Sequence, residues 1–147
     1  MSKKYLIFGA TGSIGSSLAE QLKNSGHNIH LIARNENEVN IISEKLECNY
    51  TVADVLEDGF VEKVKADVDD VKGIAYCVGS IDLKPLNLVS KKDYLKSFEL
   101  NLFPIVEIIK KFKDNLKKNK SSVVLFSTVA VKQGFPNHSI ISPVKAS

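Results

Sequence analysis

Three glycines, Gly9, Gly12 and Gly15, recur at three-residue spacing directly after the apolar run KYLIF (Lys4–Phe8) and directly before a helical pattern reaching about Asn24. Few folds pass from strand to helix through such a turn. Glycine lets the backbone bend sharply and approach other atoms without a Cβ in the way. The first N–H groups of a helix have no intrahelical acceptor. Together they suit a pyrophosphate, whose charge is drawn to free N–H groups at the positive end of the helix dipole. A merely structural turn needs the same residues, so the position after the first strand of an alternating chain is what gives the triplet its force. Gly9, Thr11, Gly12, Ser13, Ile14 and Gly15 are read as the phosphate loop, with Gly15 expected to let the helix pack close to the sheet.

The rest of the chain supplies that alternation. Further strands are expected at Asn28–Ala33, Tyr50–Ala53, Gly73–Val78 and Ser122–Phe126, with helices at Glu36–Leu46 and around Phe60–Ala66 and a long helical region from Lys92 to Lys118. Strands that are nearly all apolar are buried on both faces, as in a parallel sheet covered by helices. The class is therefore α/β, a doubly wound parallel sheet of Rossmann type with five strands and helices on both faces. In the long helical region Leu102, Ile105, Val106, Ile109, Phe112 and Leu116 form the expected core stripe, with Phe98, Phe103 and Ile108 off it. Those three are available for a sheet edge or an oligomer contact. Pro104 removes the hydrogen bond to the Leu100 carbonyl, so a kink near Asn101 is expected.

Composition excludes several classes. At 147 residues, 44% hydrophobic and 25% charged, the chain has room for one domain, 1–147, with a real core. A net charge of +3 is too small for a typical nucleic-acid binder, and the basic run Lys110–Lys120 reads as a solvated helix end. The start MSKK leads straight into a short strand, far below the ~20 apolar residues of a membrane span, so a cytoplasmic protein is expected. Cys48 and Cys77 lack metal-ligand spacing and read as buried, reduced thiols; no metal is expected.

The loop GATGSIG resembles that of the short-chain dehydrogenase/reductase family, and further stations resemble it along the whole chain. The loop fits the G-x-x-G-x-x-G of the longer, two-domain members residue for residue, while Ser13 replaces a glycine of the single-domain pattern. The resemblance implies NAD or NADP binding. NAD-selective members carry an acidic residue where Ala33 stands; here Arg34 follows, able to pair a 2′-phosphate in two-pronged geometry, which favours NADP over NAD. Asp54 and Val55 fall where the family contacts adenine, and Gly79, in YCVG, is the one residue kept from the family's N-N-A-G. Asn101 resembles the asparagine that holds a proton-relay water.

Reducing a carbonyl puts negative charge on its oxygen, which must be polarised and given a proton. The family uses a serine after the fifth strand and a Y-x-x-x-K pair on the next helix. Without a gap, Thr128 takes the serine position, with Ser127 before it, and Lys145 takes the lysine position seventeen residues later. The tyrosine position is Ile141, which has no proton to give. Three readings stay open: a divergent enzyme in which His138, Ser142, Lys145 or a water delivers the proton; an NADP-binding sensor or interaction protein without turnover; and a damaged or incomplete copy. Family domains continue through two more strands and a substrate-covering segment, so the chain is expected to be the N-terminal part of a longer domain with its C-terminal strands missing. What the resemblance implies is an NADP-dependent oxidoreductase acting on a small carbonyl or alcohol. Pairing into a homo-oligomer through the long helix 92–118 is a further expectation, with no nucleic acid or membrane partner.

Overall fold

Five short strands lie side by side in the order β3-β2-β1-β4-β5 in the computed structural model, which describes residues 3–147. They are β1 (Lys4–Phe8), β2 (Ile29–Ala33), β3 (Asn49–Val52), β4 (Val71–Tyr76) and β5 (Ser122–Leu125), and every pair is parallel. Met1 and Ser2 of the MSKK start lie outside the described residues. Parallel neighbours cannot be joined by a tight turn. The crossovers are α1 (Ser13–Asn24), α2 (Glu36–Leu46), α3 (Phe60–Asp67), α4 (Lys91–Asn101) and α5 (Phe103–Asn119), and α6 (Ile141–Ala146) follows β5.

Alternation along β1 sorts the core into two layers. Leu6 and Phe8 face a cluster with Ile32, Val64, Ile74 and Phe112, beneath α3 and α5. Ile7 faces Ala19, Leu31 and Val39, beneath α1 and α2. Helices thus cover both faces of a Rossmann-type sheet.

Several expectations are corrected. Burial on both faces holds for β1, β2 and β4 but not for the outer strands: Val124 and Leu125 of β5 are 47% and 51% exposed. Being apolar does not bury a strand at the rim of the sheet. The long helix is two helices, broken at Leu102, whose φ of −122° and ψ of −55° leave the helical region. Pro104 sits in the first turn of α5, where its missing N–H costs little. The core stripe holds at Ile105, Phe112 and Leu116 but is centred on Ile108. Pro104, Ile108 and Phe112 point inward, whereas Val106 and Ile109 are exposed. Cys48 and Cys77 are free but only partly buried. The Lys110–Lys120 cluster ends α5 as expected, with Lys117 and Lys118 in its last turn. Among the described residues no helix is long and apolar enough to cross a membrane.

Candidate active site

From β1 the chain builds outward to β2 and β3, then returns to lay β4 on the other side of β1. Such a reversal leaves a crevice at the carboxyl ends of the central strands. A cleft of about 440 Å³ opens there, bordered by Gly9, Thr11 and Gly12 below, Arg34 and Asp54 at one end, and Gly79 and Lys96 across from them.

The glycine loop forms its floor. Gly9 has a φ of +76°, and a Cβ on it would stand 2.9 Å from the Cys77 carbonyl carbon and the Val78 nitrogen. Its N–H donates to the Ile32 carbonyl at 2.9 Å, which ties the loop to β2 as well. A Cβ on Gly15 would meet the Gly9 carbonyl oxygen at 2.2 Å. The close approach expected of Gly15 is therefore to the loop itself. Gly12 caps α1 without a side chain, and the first turn holds no acidic residue. Among the described residues no carboxylate binds the N–H groups of Ser13, Ile14 and Gly15, so the start of this twelve-residue helix is open to an anion.

Arg34 stands exposed where β2 ends and enters no ion pair among the described residues. Asp54 accepts the Leu56 N–H at 3.0 Å through one carboxylate oxygen, which fixes its side chain at the cleft wall, and Val55 beside it is buried.

At the other end, Gly79 is a platform on which two side chains converge. The point its Cβ would occupy lies 3.1 Å from Asn101 Oδ1 and 3.4 Å from Lys145 Nζ. Asn101 is buried; its Nδ2 donates to the Ser97 carbonyl at 2.9 Å, while Oδ1 has no partner among the described residues. Its main-chain carbonyl is also released, because the Ile105 N–H donates to Leu102 instead. Partial burial lowers the Lys145 ammonium below its ordinary pKa, and no carboxylate pairs with it among the described residues.

The two hydroxyls after β5 divide their work. Ser127 Oγ donates to the Lys145 carbonyl at 3.1 Å and so holds α6 against the strand end. Thr128 opens a 3-10 turn (Val129–Val131), and its Oγ1 accepts the Ala130 N–H at 3.3 Å, which leaves its proton available to a ligand. Ile141 is 1% exposed and packs inward with Ile140 and Val144, so the position of the absent tyrosine is a hydrophobic plug. His138 packs against the Phe135 ring. Its Nδ1 sits 2.7 Å from the Pro136 carbonyl; since a carbonyl can only accept, Nδ1 carries the proton.

The structure thus unites Gly79, Asn101 and Lys145, links Thr128 to them through its neighbour Ser127, and keeps Arg34 and Asp54 at the far end of the cleft. Sequence reasoning passed over Lys96 and Leu100, which also line the cleft, and Tyr76, which supports it. Lys96 belongs to no motif. Tyr76 carried a signal in its position, because it ends an otherwise apolar strand and needs a partner for its hydroxyl.

The family model described as Enoyl-(Acyl carrier protein) reductase matches residues 9–147. No curated protein matches the sequence. Among solved structures the chain is similar to one described as a short chain dehydrogenase/reductase family protein, with a TM-score of 0.90 and 18% identity over 98% of this chain and 63% of that one. An alcohol dehydrogenase from the archaeon Thermococcus sibiricus, complexed with 5-hydroxy-NADP, superposes with a TM-score of 0.89 at 23% identity, over 99% of this chain and 66% of that one. The KRED1-Pglu enzyme gives 0.91 at 16% identity, over 99% and 64%. The chain spans less than two thirds of the length of each of these three. At such identities the superpositions speak for the fold; with the family match over nearly every residue, the chain belongs to the short-chain dehydrogenase/reductase family of oxidoreductases.

Proposed function

We propose that the chain forms the NADP-binding part of an oxidoreductase that moves a hydride between a nicotinamide and a small carbonyl or alcohol. The observation that carries the reading is the convergence of Asn101 Oδ1 and Lys145 Nζ on Gly79, at the end of the cleft away from Arg34. A dinucleotide fits the residues present, because a Cβ on Gly9 or Gly15 would strike backbone and so spoil the tight turn, and the α1 N-terminus lacks a counter-charge. Arg34 would take a 2′-phosphate, Asp54 and Val55 the adenine, and Lys145 the ribose beside the nicotinamide. A bound nicotinamide supplies or accepts the hydride. Thr128 would offer its hydroxyl as a hydrogen-bond donor that polarises the substrate oxygen, and the unpartnered Asn101 acceptors would hold a water against Lys145 from which the proton is delivered and replaced from solvent.

The buried Ile141 favours a second reading, a nucleotide-binding protein without turnover, since its side chain has no proton to give. The exposed Phe103, Val106 and Ile109 of α5 support pairing with a second copy through that helix, and a cytoplasmic location goes with the same proposal.

Fluorescence titration with NADPH and NADH tests the cofactor. NADPH is expected to bind more tightly, and Arg34→Ala to weaken it roughly ten- to hundredfold, as loss of a charged hydrogen-bonding partner does. Tighter NADH binding, or no binding of either, would refute it. Turnover on a carbonyl panel that collapses in Lys145→Ala would exclude the second reading.

A further inference from the structure

Pro104 has no backbone N–H, so the Leu100 carbonyl four residues earlier loses the donor a continuous helix would supply. The gap is filled from the sheet: the Tyr76 hydroxyl donates to the Leu100 carbonyl at 2.6 Å. Tyr76 is the last residue of β4, and its buried ring packs against Phe8 at 6.1 Å between centroids. The hydroxyl is therefore anchored to the centre of the sheet. Burial raises this phenol above its ordinary pKa, with the negative charge of Asp54 adding to the effect, so it remains a donor at neutral and alkaline pH.

The residue after Leu100 is Asn101, with its unpartnered Oδ1 and released carbonyl. Three residues after Tyr76 comes Gly79, the platform on which Asn101 meets Lys145. One segment leaving β4 thus carries both the platform and the anchor of the helix break above it. We propose that Tyr76 is a positioning residue: by holding the Leu100 carbonyl it fixes the α4–α5 break and aims the Asn101 acceptors at Lys145. The inference rests on reading Gly79, Asn101 and Lys145 as the nicotinamide end of the site.

Tyr76→Phe keeps the ring and removes only the donor. Hydrogen exchange at the backbone amides and at the Asn101 side-chain amide is read by NMR, with NADPH and 2′,5′-ADP titrated in parallel. Exchange at residues 102–106 and at Asn101 is expected to rise about tenfold more than in β1 and β2, the factor one lost buried hydrogen bond gives. NADPH binding weakens by a similar factor, while 2′,5′-ADP, which reaches Arg34, Asp54 and the glycine loop but not the Gly79 platform, keeps its affinity. Adding Pro104→Ala restores an N–H to the helix and returns protection to 102–106. No change at 102–106, a uniform rise across the sheet, or an equal loss for both ligands overturns the proposal. Should wild-type protein bind neither ligand, the nicotinamide reading fails, and the exchange data alone decide whether Tyr76 anchors Asn101.

Discussion

Acid is expected to destabilise this fold through one buried histidine. His30 is 1% exposed, and its Nε2 lies 2.7 Å from Thr51 Oγ1, which in turn donates to Asp67 Oδ2. With the threonine proton committed to Asp67, Nε2 must be the donor, and Nδ1 is left buried without a partner. Protonating Nδ1 would bury a charge that nothing accepts. Burial accordingly lowers the His30 pKa from 6.5 to about 4, the positive charge of Lys4 adds to the fall, and Asp67 opposes it. Between those two values the unfolded chain binds the extra proton and the folded one does not, so stability falls as pH drops through that window. The linkage amounts to about 2 kcal/mol lost between pH 8 and pH 5, and to ~3 kcal/mol in full below pH 4. Urea unfolding of wild type and His30→Gln at pH 8, 6 and 5 measures it, since glutamine keeps a donor for Thr51 but does not titrate. The wild type should lose about 2 kcal/mol more than the variant. Equal losses, or an NMR titration of His30 near 6.5, would refute the reasoning.

Two glycine substitutions separate a filled contact from an open one. Gly15→Ala forces a methyl onto the Gly9 carbonyl and is expected to cost about 1–3 kcal/mol and to abolish nucleotide binding. Gly12→Ala, whose nearest contact is 3.4 Å, should bind measurably in the same fluorescence titration. Ile141→Tyr places a phenol in a packed interior and is expected to lower stability by about 1–3 kcal/mol, read by thermal melting. A variant as stable as wild type would mean that α6 shifts to accept the ring.

Strand–helix alternation and the glycine triplet were legible because each rests on local chemistry: β1 and α2 have the bounds that the sequence suggested. The placement of Gly9–Gly15, Arg34 and Asp54 at strand ends was legible for the same reason, since each follows directly on a strand. The exposure along β3 was not, because it depends on where a strand stands in the sheet. The stripe on α5 was right at Ile105, Phe112 and Leu116 and wrong at Val106 and Ile109, because spacing alone does not tell which of two adjacent rows of a helix centres on the sheet. Pro104 gave the place of the helix break, and Ile108 moved from the margin to the core. Tyr76 was passed over because its hydrogen bond joins residues twenty-four apart. Tertiary pairing of that kind leaves no local pattern.

The contact between Gly15 and the Gly9 carbonyl has a kinetic consequence. A turn held by backbone packed on backbone has no rotamers to freeze and little room to move, so its N–H groups stand in place before an anion arrives. Binding then carries almost no ordering entropy from the loop. Association at this end of the cleft is expected to follow encounter and charge, slowing as salt is added, rather than to wait on a conformational step.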